Sequence, residues 1–130
     1  MAKRVLVIMQ KDGTRLNQHH IEAMEAIGMD ILVATDLKQA DEMIDCGPQV
    51  VVSDGRVGFD KERPMTCLHR RLRQKNQGVT LVVIGEYPAI GHDMWGNLRD
   101  DPNCITLYPW SADVAPTRLA ERTARLAVTG

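Results

Sequence analysis

The 130 residues are enough for one domain with a core of its own, and 44% apolar with 25% charged content is that of an ordinary soluble globular protein. Sixteen Lys and Arg against seventeen Asp and Glu leave a formal charge of -1 with the histidines neutral. No overall field therefore draws the chain to nucleic acid or to an anionic membrane.

One Phe, two Tyr and two Trp make the core aliphatic. The three cysteines, Cys46, Cys67 and Cys104, are an odd number without CxxC or Cys/His ligand spacing. They predict free thiols in a reduced, cytoplasmic protein. Met1-Ala2-Lys3-Arg4 runs into only five apolar residues, Val5 to Met9, too short for a signal peptide or a membrane span. That run predicts the first strand, broken by Gln10-Lys11-Asp12-Gly13. From Thr14 the pattern turns helical, with Leu16, His20, Ala23, Met24 and Ile27 at three- and four-residue intervals and Gly28 at the helix end.

Ile31 to Ala34 is the second strand, and Thr35-Asp36 caps a helix carrying Leu37, Ala40, Met43 and Ile44. Val50 to Ser53 is the third strand. After a Gly-rich, charged loop, Pro64 opens a helix to about Lys75 with Met65, Leu68 and Leu72 inward. Val79 to Ile84 is the fourth strand. The Tyr87–Gly96 stretch, with two glycines and a proline, predicts at most a short or broken helix. Ile105 to Leu107 is the fifth strand, and Ser111 or Asp113 caps a final helix with Val114, Ala115, Leu119, Arg122 and Leu126 inward. Five alternating strand–helix units predict a flavodoxin-like (βα)5 three-layer α/β sandwich with parallel strand order 2-1-3-4-5, a single domain over 1–130.

The third strand ends Val50-Val51-Val52-Ser53-Asp54-Gly55, an apolar run closing on a carboxylate. In open parallel sheets, ligands and chemistry sit just beyond such strand ends. With Asp54 there, Val57 three residues on, and Tyr108-Pro109 after the fifth strand, the whole chain resembles a response-regulator receiver domain of the CheY-like kind. The resemblance implies a two-component signalling module with Asp54 in the phosphoacceptor position.

Other positions depart from that pattern. The family's two Mg²⁺-holding acids at the end of the first strand are matched by Met9 and Gln10, with Asp12 just beyond as a possible alternative acid. Its hydroxyl residue after the fourth strand is Gly85, and its Lys after the fifth is Tyr108. Its switch aromatic falls at Ile105, and Gly58 stands where Pro is common. Phosphoryl transfer depends on positioning and on neutralising oxygen charge, so these losses are expected to remove metal, counter-charge and hydroxyl donor together.

The expected function is therefore a degenerate receiver, not an enzyme, acting by protein–protein contact without Mg-dependent phosphorylation or a cofactor. Its expected partner is another protein or a second copy, docked on the face from the fourth strand to the final helix, where Trp95 and Trp110 lie. An output domain outside this chain is a further expectation. The first alternative is a phosphorelay receiver whose atypical site uses Asp12, Asp54 and Mg²⁺. The second is a small ligand-binding or phosphatase-like domain on the same fold.

The remaining signals are weaker. Cys67 to Arg73 spells C-x5-R, yet lacks the glycines of a phosphate loop, so Cys67 is expected to be a core or half-buried thiol. Lys11-Asp12-Gly13-Thr14 resembles a haloacid-dehalogenase nucleophile loop with Gln10 in place of the nucleophile, and reads as a turn with Thr14 as helix cap. His19 and His20 are adjacent and point apart, His20 inward; His69 and His92 have no ligand-spaced partner. Arg70, Arg71, Arg73 and Lys75 read as a solvated helix face.

Overall fold

A computed structural model describes residues 3–11, 15–56, 64–75, 78–85 and 101–129. Five strands, β1 (Arg4–Ile8), β2 (Asp30–Ala34), β3 (Val50–Asp54), β4 (Thr80–Ile84) and β5 (Cys104–Leu107), form one sheet in the order β2-β1-β3-β4-β5. Every pairing is parallel, with β3 aligned on β1 and β4 by Val50↔Val5 and Val50↔Thr80. The described helices are α1 (Gln18–Ala26), α2 (Leu37–Ile44), α3 (Pro64–Lys75) and α4 (Pro116–Thr129).

Alternation along each strand divides the core in two. Leu6, Ile8, Val51, Leu81 and Val83 meet Ala40 and Ile44 of α2 and Met65, Leu68 and Leu72 of α3. Val5, Val7, Val50, Val52, Val82 and Ile84 meet Met24 of α1 and Leu119, Ala120 and Ala127 of α4. The expected three layers and strand order are present. All five residues of both β3 and β4 are buried, as strands covered on two faces must be.

Local chemistry moves some boundaries. Helix α1 begins at Gln18, not near Thr14, because Asn17 caps it: its side chain accepts the His19 N–H at 2.9 Å. His20 lies inward as its spacing predicts. Its Nδ1 accepts the Asn17 N–H at 3.2 Å and its Nε2 donates to the Val114 carbonyl at 2.7 Å, which fixes α1 to the turn before α4. Ser111 caps only a 3-10 turn over Ala112–Val114, and α4 starts at Pro116.

The inner face of α4 is Leu119, Ala120, Thr123 and Ala127, whereas Ala115 is exposed and Leu126 half-buried. Thr123 tolerates complete burial because its hydroxyl donates to the Leu119 carbonyl at 2.7 Å. Arg122 turns instead toward Asp113, at 3.4 Å. Cys67 is exposed, contrary to the core placement, because it lies off the Met65–Leu68–Leu72 stripe of α3. The charged side of α3 is paired with acids: Arg71 with Asp41, Arg73 with Asp101, and Lys75 with Asp45. Among the described residues no helix is long and apolar enough to cross a membrane.

Candidate functional site

Asp54 is the last residue of β3, between β1 and β4, at the centre of the sheet's carboxyl edge. Its side chain is 1% exposed. A carboxylate buried to that degree needs counter-charge and donors close by. The backbone supplies the first: the Arg56 N–H donates to Oδ1 at 2.9 Å, closing a tight turn after the strand. The turn is fixed from both sides, by Gly55 N–H to the Ile84 carbonyl at 2.8 Å and by Gln10 Nε2 to the Arg56 carbonyl at 3.2 Å.

Two guanidinium groups supply the charge. Arg56 Nε stands 3.7 Å from Oδ1, and Arg15 Nη1 stands 3.8 Å from the same oxygen and 3.4 Å from the Ile84 carbonyl. The expectation that Asp54 has lost its counter-charge is therefore corrected: the charge comes from the loops after β1 and β3 instead of from the end of β5. Oδ2, by contrast, has no hydrogen-bond partner among the described residues.

The other site positions fall as follows. Met9 is half-buried against the α1/α4 side of the core, and its N–H continues the pairing to the Ala34 carbonyl at 2.9 Å. Gln10 is engaged in holding the Arg56 turn. Gly85 is buried, its N–H bonded to the Leu107 carbonyl at 3.0 Å. Ile105 is half-buried on the α1/α4 side. Tyr108 and Trp110 form a separate feature beyond β5, stacked with ring centroids 5.0 Å apart at 14°, and Trp110 is 71% exposed. Asp12, Val57, Gly58, Tyr87 to Gly96 with His92 and Trp95, and the Thr14 cap lie outside the described residues.

Arg15 and Arg56 were missed from the sequence because each reads alone as a polar loop residue. The usable signal was topological. In the order 2-1-3-4-5, β1 and β3 are neighbours, so the loops leaving them emerge side by side over Asp54.

A second charged cluster occupies the opposite edge of the sheet. Asp101 Oδ2 accepts from His69 Nε2 at 2.6 Å and Arg73 Nε at 2.5 Å, and Oδ1 accepts the Asn103 N–H at 2.8 Å. Arg73 also donates to the Val79 carbonyl at 2.6 Å, tying α3 to the starts of β4 and β5. Burial opposes ionisation of Asp101, but the bonds from His69, Asn103 and Arg73 outweigh it and hold the carboxyl at about 2. Burial, reinforced by Asp101, pushes the neighbouring Cys104 thiol up to about 12, which makes it unreactive. His69 thus has a hydrogen-bond partner in Asp101, but a single carboxylate makes no metal site.

No protein-family model and no curated protein matches the chain. Solved structures do. A response regulator receiver protein from Sinorhizobium medicae superposes with a TM-score of 0.72 at 17% identity, over 98% of this chain and 95% of that one. The receiver domain of a Francisella response regulator gives 0.67 at 21% identity, with 98% of each chain covered. An orphan response regulator of H. pylori gives 0.70 at 11% identity, with 96% of each covered. The fold is that of a response-regulator receiver domain.

The Mg²⁺ implied by the receiver resemblance does not fit the groups described around Asp54. Mg²⁺ takes octahedral oxygen ligands and is usually anchored by carboxylates. Here the described neighbours are Met9, an occupied Gln10 amide and two guanidiniums on one carboxylate oxygen. Among the described residues no group of three His, Cys, Asp or Glu is placed to hold a metal ion. A divalent ion about 4 Å from one guanidinium meets a repulsion of roughly 8 kcal/mol at an effective dielectric of about 20. Among the described residues, Asp54 beside two arginines is already charge-compensated.

Proposed function

We propose that the chain is a receiver-like signalling module that works through contact with another protein or a second copy of itself, outside the Mg-dependent cycle of aspartyl phosphorylation. The observation that carries this reading is the pairing of buried Asp54 with Arg15 and Arg56. The positive charge a receiver draws from a metal comes here from the chain itself, so phosphoryl transfer has neither its metal template nor an accessible carboxylate. The proposed contact face runs from β4 to α4, where the stacked pair of Tyr108 and Trp110 is solvent-facing; rigid aromatics of this kind are enriched at interface cores. A reduced cytoplasmic setting fits three free thiols, two of them exposed.

The competing reading is a phosphorylatable receiver that recruits Asp12. Its support is Asp54 Oδ2, which no described donor engages. Incubation with acetyl phosphate and Mg²⁺, followed by intact-mass measurement, separates the two. The proposal predicts unchanged mass. A one-phosphoryl increase that disappears in Asp54→Asn would establish the competing reading.

A further inference from the structure

The two oxygens of Asp54 are treated unequally. Oδ1 takes the Arg56 N–H and faces both guanidiniums, whereas Oδ2 has no partner among the described residues although the side chain is 1% exposed. Burying a carboxylate oxygen without a donor costs on the order of 1–3 kcal/mol, and folded proteins keep few such atoms without a use for them. The atom also has a telling address. The strand order reverses between β1 and β3, and open α/β sheets bind ligands beyond the strand ends at that switch point.

We propose that Asp54, Arg15 and Arg56 bind a protonated phosphate group without covalent transfer, as hydrogen phosphate or as the monoanion of a phosphomonoester, which keeps its last proton only up to pH about 6. The P–O–H group donates to Oδ2, and the remaining oxygens accept from the guanidiniums. The complementarity is chemical. Guanidinium forks select oxyanions. A carboxylate oxygen accepts and never donates, so it admits only an anion that carries its own hydroxyl. Hydrogen phosphate retains that proton at neutral pH; sulfate does not, and would set a bare oxygen against Oδ2. Arg56, 33% exposed against 14% for Arg15, is the side chain that swings aside to admit the ligand. This inference rests on the reading of Asp54 as a residue outside the phosphorylation cycle, and it supplies that module with an input: phosphate sensed by binding.

The test titrates the whole chain with inorganic phosphate, glycerol phosphate and sulfate at matched ionic strength and at pH about 6, where both phosphates carry a P–O–H and sulfate does not. Thermal shift reads all three ligands, and phosphorus NMR line width reads the two phosphates. The expected result is binding of at least one phosphate compound about tenfold or more tighter than sulfate. The stronger of the two phosphate arms tells a free phosphate ion from a phosphomonoester. In Asp54→Asn, whose amide donates, the preference collapses because sulfate is admitted; Arg56→Gln weakens phosphate. Equal binding of sulfate, no binding of either phosphate, or a preference that survives in Asp54→Asn overturns the proposal. The wild-type comparison needs no variant to fold. Neither phosphate compound is an activated phosphoryl donor, so a failure here leaves the acetyl phosphate result, and the function it tests, standing by itself.

Discussion

Asp101 and Asp54 both sit against arginine at the edges of one sheet, yet the two carboxylates are held in opposite ways. Asp101, 12% exposed, takes close bonds on both oxygens, at 2.5, 2.6 and 2.8 Å. Asp54, almost completely buried, has one backbone bond, two guanidiniums at 3.7 and 3.8 Å, and an oxygen with no described partner. The first arrangement is a clamp between α3 and β5, with bonds matched to the groups present. The second leaves an acceptor unspent at a costly depth, which is how sites kept for function differ from sites kept for stability.

Substitution separates them most sharply. Asp101→Asn takes the charge from between His69 and Arg73, and in denaturant unfolding it is expected to cost about 2–3 kcal/mol. Asp54→Asn removes a charge that was incompletely satisfied, and a change of less than about 1 kcal/mol is expected despite its deeper burial. A larger loss at Asp54 than at Asp101 would reverse the assignment of clamp and site.

Acid unfolding sharpens the same contrast. The Asp101 carboxyl is held below its ordinary 3.8, at about 2, so its stabilisation is complete above 3.8 and is lost as pH falls through about 2; at neutral pH it is worth about 2 kcal/mol. Wild type should lose that amount over this window, and Asp101→Asn should not.

His20 titrates higher. Burial lowers its pKa below 6.5, against the opposing bond to the Val114 carbonyl and with help from His19. Its contribution is therefore complete above 6.5 and is lost as pH falls through the lower folded value. His20→Ala, which removes the Asn17 and Val114 bonds together, is expected to cost about 1–2 kcal/mol by thermal or denaturant unfolding. The smallest expected effect is at the exposed stack. Trp110→Ala should change stability by less than about 0.5 kcal/mol, and analytical ultracentrifugation should show any self-association weakened.

The sheet was legible in the sequence because its signal is local. Unbroken apolar runs such as Val50–Val52 and Leu81–Ile84 have no other use in a chain this size, and strand–helix alternation then fixes parallel pairing. Asp54 was legible for the same reason: it terminates such a run. Arg15 and Arg56 were not, since a loop side chain acquires its neighbour only when strands from distant positions align. The phase of α4 was misplaced because hydropathy counts Thr123 as polar, whereas its hydroxyl satisfies itself on the Leu119 carbonyl and the residue can be buried. Asp101 escaped notice entirely, its partners lying about thirty residues away on α3.

In the proposed function, Arg15 and Arg56 stand in for a metal at Asp54. Mg²⁺ titration by isothermal calorimetry, repeated on Asp54→Asn, tests it most directly. No saturable heat is predicted for either protein up to millimolar concentrations, an order-of-magnitude range in which a single-carboxylate Mg²⁺ site would begin to fill. Saturable Mg²⁺ binding to the wild type that vanishes in Asp54→Asn would contradict the account.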